Sequence, residues 1–145
     1  MTNLSIIKCK LSSSNPLTNM ASEVWLDDIK IFDGSLAEPR YIEYRFDDGI
    51  EGDHELKFIL KNKSDIDTKI NDAGNILEDS LLNIENLTFD GIELGQIFYQ
   101  LAEYHHNNNG HSDLVTEKFF GSMGCNGVVS LKFTTPVYLW LLENM

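Results

Sequence analysis

Apolar and polar residues alternate with a period of two along most of the chain, and that pattern predicts strands. In ELKFILK, Leu56, Phe58 and Leu60 point one way while Lys57, Ile59 and Lys61 point the other. VVSLKF sets Val129, Leu131 and Phe133 inward against Val128, Ser130 and Lys132 outward. YIEYRF sets Ile42, Tyr44 and Phe46 on one face and Tyr41, Glu43 and Arg45 on its reverse. Further strands are expected over Leu4–Leu11, Val24–Phe32, Phe98–His105 and, open to an interruption, Ile76–Phe89. The phase changes inside two of them. Leu4 and Ile6 share a face but Ile7, Cys9 and Leu11 take the other, and Leu82 and Ile84 are followed by Leu87 and Phe89. One extra residue in a strand does this, so a β-bulge is expected near Ile6 and another near Glu85.

Turn pairs separate these runs: Asp33-Gly34, Asp48-Gly49, Gly52-Asp53, Asp90-Gly91 and Asn126-Gly127, the last a cue for a hairpin. Only Leu94, Ile97, Phe98 and Leu101 show helical spacing, which allows at most one short helix. The expected fold class is all-β: a single antiparallel β-sandwich domain over residues 1–145, jelly-roll-like.

The C-terminal PVYLWLLENM changes that picture in one respect. Read as a strand, it puts Val137, Leu139 and Leu141 on one face and Tyr138, Trp140 and Leu142 on the other. Both faces are apolar, whereas a two-layer sandwich covers only one face of a strand. A terminal segment folded into the domain's own core is the simpler explanation; otherwise Tyr138, Trp140 and Leu142 are candidate interface residues, of the types that anchor protein contacts. Trp25, Tyr41 and Tyr99 are candidates for stacking on sugar rings.

Composition excludes some partners. The chain has 23 Asp and Glu against 11 Lys and Arg, a net charge of −12. Phosphate contacts need clustered cations, so nucleic acid and anionic membranes are not expected partners. No signal-peptide pattern opens the chain, and the longest apolar run, Val137–Leu142, is too short to span a bilayer. Cys9 and Cys125 form no metal-spaced pair and read as free thiols of a protein made in a reducing cytosol.

Two segments have metal-ligand chemistry. FDDGIEGDHE and DIDTKIND supply Asp47, Asp48, Asp53, Asp65 and Asp67, hard oxygens suited to calcium, although neither matches an EF-hand loop. Solvated turns carrying the net charge are the simpler explanation of both. HHNNNGHSD supplies His105, His111 and Asp113 for a transition metal. Neighbouring residues on a strand point to opposite faces, so His105 and His106 do not share one ion. No other cofactor is implied. Catalytic motifs are lacking: GSMGCNG has no Lys-Ser or Lys-Thr after its glycines and no nucleophile-elbow order. Asp27-Asp28 is a carboxylate pair, but neighbours on a strand diverge. The expectation is a protein that is not an enzyme.

DHELKFILKNKSDIDTKINDAGNILEDSLLNIENLTFDGIELGQIF, followed by EKFFGSMGCNGVVSLKFTTPVYLWLLENM, resembles a group of small uncharacterised proteins encoded by contractile-tailed phages of marine cyanobacteria (cyanomyoviruses). The resemblance covers Asp53 to Met145 and is most specific at MGCNG, KFTTPVYLWLLENM and FDGIELGQ. It implies a β-sandwich module of phage origin, made in the bacterial host cytoplasm and located in the virion. It supplies no catalytic residues. The expected function is a non-enzymatic structural component of the particle (capsid decoration, neck, baseplate or fibre-associated), in contact with other virion proteins or with itself. The strand order is also similar to jelly-roll carbohydrate-binding modules. The alternative is therefore a module for host-surface glycan, calcium-assisted through the aspartates, with a fold-level analogy as its warrant.

Overall fold

A computed structural model describes residues 4–14, 20–63, 68–70, 76–79, 81–107 and 112–144. In chain order its strands begin with β1 (Leu4–Ser13), β2 (Ala21–Leu26), β3 (Ile29–Ser35), β4 (Arg40–Asp47) and β5 (Gly52–Lys61). Then come β6 (Thr68–Ile70), β7 (Ile76–Asp79), β8 (Leu82–Phe89) and β9 (Ile92–Glu93). The last are β10 (Glu103–His106), β11 (Val115–Lys118), β12 (Ser122–Met123) and β13 (Gly127–Thr135). Helix α1 (Gln96–Leu101) precedes β10, and α2 (Val137–Asn144) follows β13.

The smaller sheet has the order β12-β8-β1-β4, with β9 paired to β8. The larger has the order β11-β10-β13-β5-β2-β3, and β6 and β7 form a separate hairpin. All pairings are antiparallel. The two sheets make an all-β sandwich, and the chain passes repeatedly from one sheet to the other, in keeping with the jelly-roll-like expectation.

Alternation reports the core where a strand covers one face. Leu56, Phe58 and Leu60 of β5 are buried, as are Val129, Leu131 and Phe133 of β13. The register pairs Phe58 with Val129 and Leu56 with Leu131, so one apolar row lines the inside of the larger sheet. Ile42 and Phe46 of β4 face it from the smaller sheet. Aromatic rings close one end: Phe89 lies 4.9 Å from Phe133 and 5.8 Å from Trp140 between ring centroids.

Several expectations are corrected. Ser5 rather than Leu4 or Ile6 faces inward, joining Ile7, Cys9 and Leu11, so β1 keeps one phase and has no bulge at Ile6. A buried serine carries no hydrophobic signal, and its hydroxyl is satisfied by Asp90 Oδ2 at 2.7 Å. The irregularity near Glu85 is present: Lys8 pairs with Thr88 but Lys10 with Glu85, leaving one extra residue in β8. Val24–Phe32 is a hairpin, β2 and β3, because Asp27 adopts a left-handed φ of 53° and turns the chain. Phe98–His105 splits into the end of α1 and β10, and the helical spacing around Ile97 and Phe98 reports α1 correctly. Asn126-Gly127 carries the chain from the smaller sheet to the larger, so β12 and β13 do not pair. Gly127 is required there, since a Cβ would fall 2.3 Å from the His105 carbonyl oxygen.

The largest correction is α2, a second helix where a strand was expected. Val137, Trp140 and Leu141 are buried, the i, i+3, i+4 set of a helix face. Trp140, 5% exposed, therefore belongs to the core and is not an interface residue, while Tyr138 and Leu142, 59% and 66% exposed, share the outer face.

Candidate functional site

One polar constellation joins three distant segments at one end of the larger sheet. Asp27, just past β2, reaches across to β5. Its Oδ1 accepts the Glu55 backbone N–H at 2.8 Å, and its Oδ2 lies 2.7 Å from His54 Nδ1. The carboxylate only accepts, so Nδ1 carries the proton and Nε2 faces Thr135 Oγ1 at 3.2 Å. The imidazole stacks on Phe133 with centroids 5.4 Å apart and planes 28° apart.

Carboxylate, imidazole and hydroxyl thus stand in the order of a nucleophilic triad, but the hydroxyl is committed elsewhere. Thr135 donates to the Ile50 carbonyl at 2.6 Å and is 4% exposed. A nucleophile must present its oxygen to a substrate carbon. This one is a strut that ties β2, β5 and the end of β13 together.

Beside the strut is an open hollow of about 460 Å³. His54 and Trp140 line its inner side, and Asp53, Glu55, Lys132 and Thr134 reach it from β5 and β13. Glu55 accepts the Ser130 hydroxyl at 2.5 Å. Carboxylates, an ammonium, a hydroxyl and a ring edge in one depression can hydrogen-bond a small polyhydroxylated ligand.

The aromatic candidates do not converge. Trp25 is half-buried on the outer face of the larger sheet, its Nε1 donating to Glu23 Oε1 at 3.0 Å and its ring under the Lys30 ammonium at 5.8 Å. Tyr41 is exposed on the outer face of the smaller sheet, 5.9 Å from the Lys10 ammonium. Tyr99 packs in α1, its ring 6.2 Å from that of Phe119. Beside Trp25, Lys61 bridges Glu23 at 3.0 Å and Asp33 at 2.8 Å. These hydrogen bonds hold both carboxyls below their ordinary range and raise the Lys61 ammonium above its own.

The calcium candidates among the described residues have separate places. Asp47 Oδ1 accepts the Gly49 N–H at 2.8 Å, Asp48 Oδ1 accepts the Val137 N–H at 2.8 Å, and Asp53 borders the hollow. Asp65 and Asp67 lie outside the described residues, as does His111. His105 and His106 do point to opposite faces: His105 Nδ1 meets Thr116 Oγ1 at 3.0 Å, and the buried His106 meets Glu117 Oε2 at 2.9 Å. Asp113 is exposed. Among the described residues no three His, Cys, Asp or Glu side chains group as metal ligands.

MGCNG has a structural task. The Asn126 side chain exchanges two hydrogen bonds with the Lys63 backbone, at 2.9 and 2.8 Å. The buried Lys63 ammonium donates to the Gly124 carbonyl. Tyr104 donates its hydroxyl to the Cys125 carbonyl at 2.5 Å and accepts the Cys125 N–H at 2.8 Å. Cys9 and Cys125 are not joined in a disulfide.

Asp27, His54 and Thr135 escaped the reading of the sequence as a group. One signal was present: His54 stands two positions before Leu56, in phase with the core-facing row of β5. A histidine in that phase needs polar partners at its buried nitrogens. No family model, curated protein or solved structure matches this chain. Among the described residues no helix is long and apolar enough to cross a membrane.

Proposed function

We propose that the chain is a non-enzymatic component of a tailed-phage particle that docks onto another virion protein through α2. The observation that carries this reading is the outer face of α2. Tyr138 and Leu142, one helical turn apart, are exposed together with Leu139. A groove of about 340 Å³ also runs between α2 and α1, lined by Ile92, Ile97 and Leu141 together with the polar Gln96, Gln100 and Asn144. Exposed aromatic and aliphatic side chains are what a partner buries first. The resemblance to phage-encoded proteins gives the kind of partner.

Tyr138→Glu combined with Leu142→Glu tests it. Both side chains are exposed, so the fold is retained, and the copy number of the chain in density-purified particles drops. Unchanged incorporation, read by quantitative mass spectrometry, overturns the reading.

The hollow beside His54 favours a second reading, a module for host-surface glycan. Asp53 and Lys132 line it from outward positions of β5 and β13, and Glu55 stands directly across the strand pair from Lys132. In this reading, oligosaccharides bind the wild-type chain in titration calorimetry, and Asp53→Ala with Lys132→Ala removes binding. Equal binding by that double variant overturns it.

A further inference from the structure

The smaller sheet ends on a long strand with an open side. β4 pairs with β1 along Arg40–Asp47 without a register shift, and among the described residues no strand lies on its other side. Open edges of this length are normally blunted by a bulge, a proline, charged side chains or a covering segment. β4 has neither bulge nor proline within it, and its charges alternate in sign, which can match a second copy of the strand. Its outward side chains are Tyr41, Glu43, Arg45 and Asp47, all exposed, in the order aromatic, acid, base, acid.

We propose that β4 pairs antiparallel with β4 of a second copy, about a two-fold axis at Tyr44, giving a homodimer with one continuous sheet. Two copies related by a two-fold perpendicular to the sheet keep each face on its own side. Only registers centred on a residue are then available. Centring on Glu43 sets Glu43 against itself. Centring on Arg45 sets Arg45 against itself and Glu43 against the second Asp47. Centring on Tyr44 sets Glu43 of each copy opposite Arg45 of the other, twice, and Tyr41 opposite Asp47, twice. Opposite charges directly across an antiparallel pair stabilise it, and like charges destabilise it.

The ion pair that Glu43 and Arg45 make within the chain does not compete. Arg45 Nη2 lies 3.8 Å from Glu43 Oε1 with both side chains more than half exposed, and such a pair contributes little. On the inner side the same register sets Ile42 opposite Phe46 and places the two half-buried Tyr44 rings at the axis. The other edges offer less. β11 has four residues and β12 two, and the β2–β3 pairing is irregular at Val24/Trp25. This inference is independent of docking through α2.

Sedimentation equilibrium on the full chain tests it with charge reversals. The wild type is dimeric. Glu43→Arg alone and Arg45→Glu alone each turn two attractive pairs into two repulsive ones, and each weakens the dimer roughly tenfold or more. The two single variants mixed together form a heterodimer, because all opposed pairs are again of opposite sign, and the double reversal restores the homodimer. A wild type that stays monomeric overturns the proposal, as does a dimer that both single variants leave intact. Failure of the mixture to associate, with both variants folded by circular dichroism, overturns the assigned register.

Discussion

Asp27 Oδ2 lies 2.7 Å from His54 Nδ1 while the other oxygen of the same carboxylate takes the Glu55 N–H, so one side chain fixes both the ring and the strand that carries it. Replacing Asp27 with Ala leaves the Glu55 N–H and the imidazole without their acceptor. The expected cost is about 1–3 kcal/mol by urea denaturation. Asn at the same place retains part of it. A loss below a few tenths of a kcal/mol for Asp27→Ala contradicts the strut.

Trp140 and Tyr138 stand two positions apart on α2 and predict opposite outcomes. Trp140 packs on Phe89 and Phe133, with ring centroids at 5.8 and 6.0 Å. Trp140→Ala opens a cavity and destabilises the fold by about 3–5 kcal/mol. Tyr138→Ala and Leu142→Ala stay within about 0.5 kcal/mol of the wild type. The melting temperatures of the three variants check this ordering.

The Glu23–Lys61–Asp33 bridge sets a pH window. Both carboxyls sit below their ordinary values, so their contribution is present above the unfolded values and is lost as the pH falls through the depressed ones. Lys61 is raised, so its share is present below its ordinary value and lost as the pH rises through the folded one. The bridge is intact between those limits. Lys61→Met removes the first cause of both carboxyl shifts, and ¹³C NMR titration then finds Glu23 and Asp33 moving upward. Unmoved titrations sever Lys61 from the shift.

The two thiols separate by reactivity. Burial pushes the Cys9 thiol up to about 12, leaving almost no thiolate at neutral pH, whereas Cys125, within MGCNG, is half-buried. Iodoacetamide on the folded chain is expected to modify Cys125 and spare Cys9, and to modify both in denaturant. Peptide mapping reads the result; early labelling of Cys9 contradicts the packing of β1.

The strands that cover one face are legible in the order of residues alone. Alternation in β4, β5 and β13 comes from the two-residue repeat of the strand backbone, which depends on nothing outside the segment. Asp90-Gly91 likewise specified its own hairpin turn, with both residues at positive φ, 54° and 82°. Partners decided the rest. VYLWLLEN is apolar at nearly every position, so it satisfies strand and helix periods equally. It follows Pro136, its first turn is capped by Asp48 from 89 positions earlier, and Trp140 fills the end of the core. The candidate site arose in the same way. Asp27, His54 and Thr135 are spread along the chain, and antiparallel pairing of β2 with β5 and β5 with β13 brings them within hydrogen-bonding distance. Hydrophobic periodicity records which way a side chain faces, whereas the hydrogen-bond partner it meets there is a property of the assembled sheets alone.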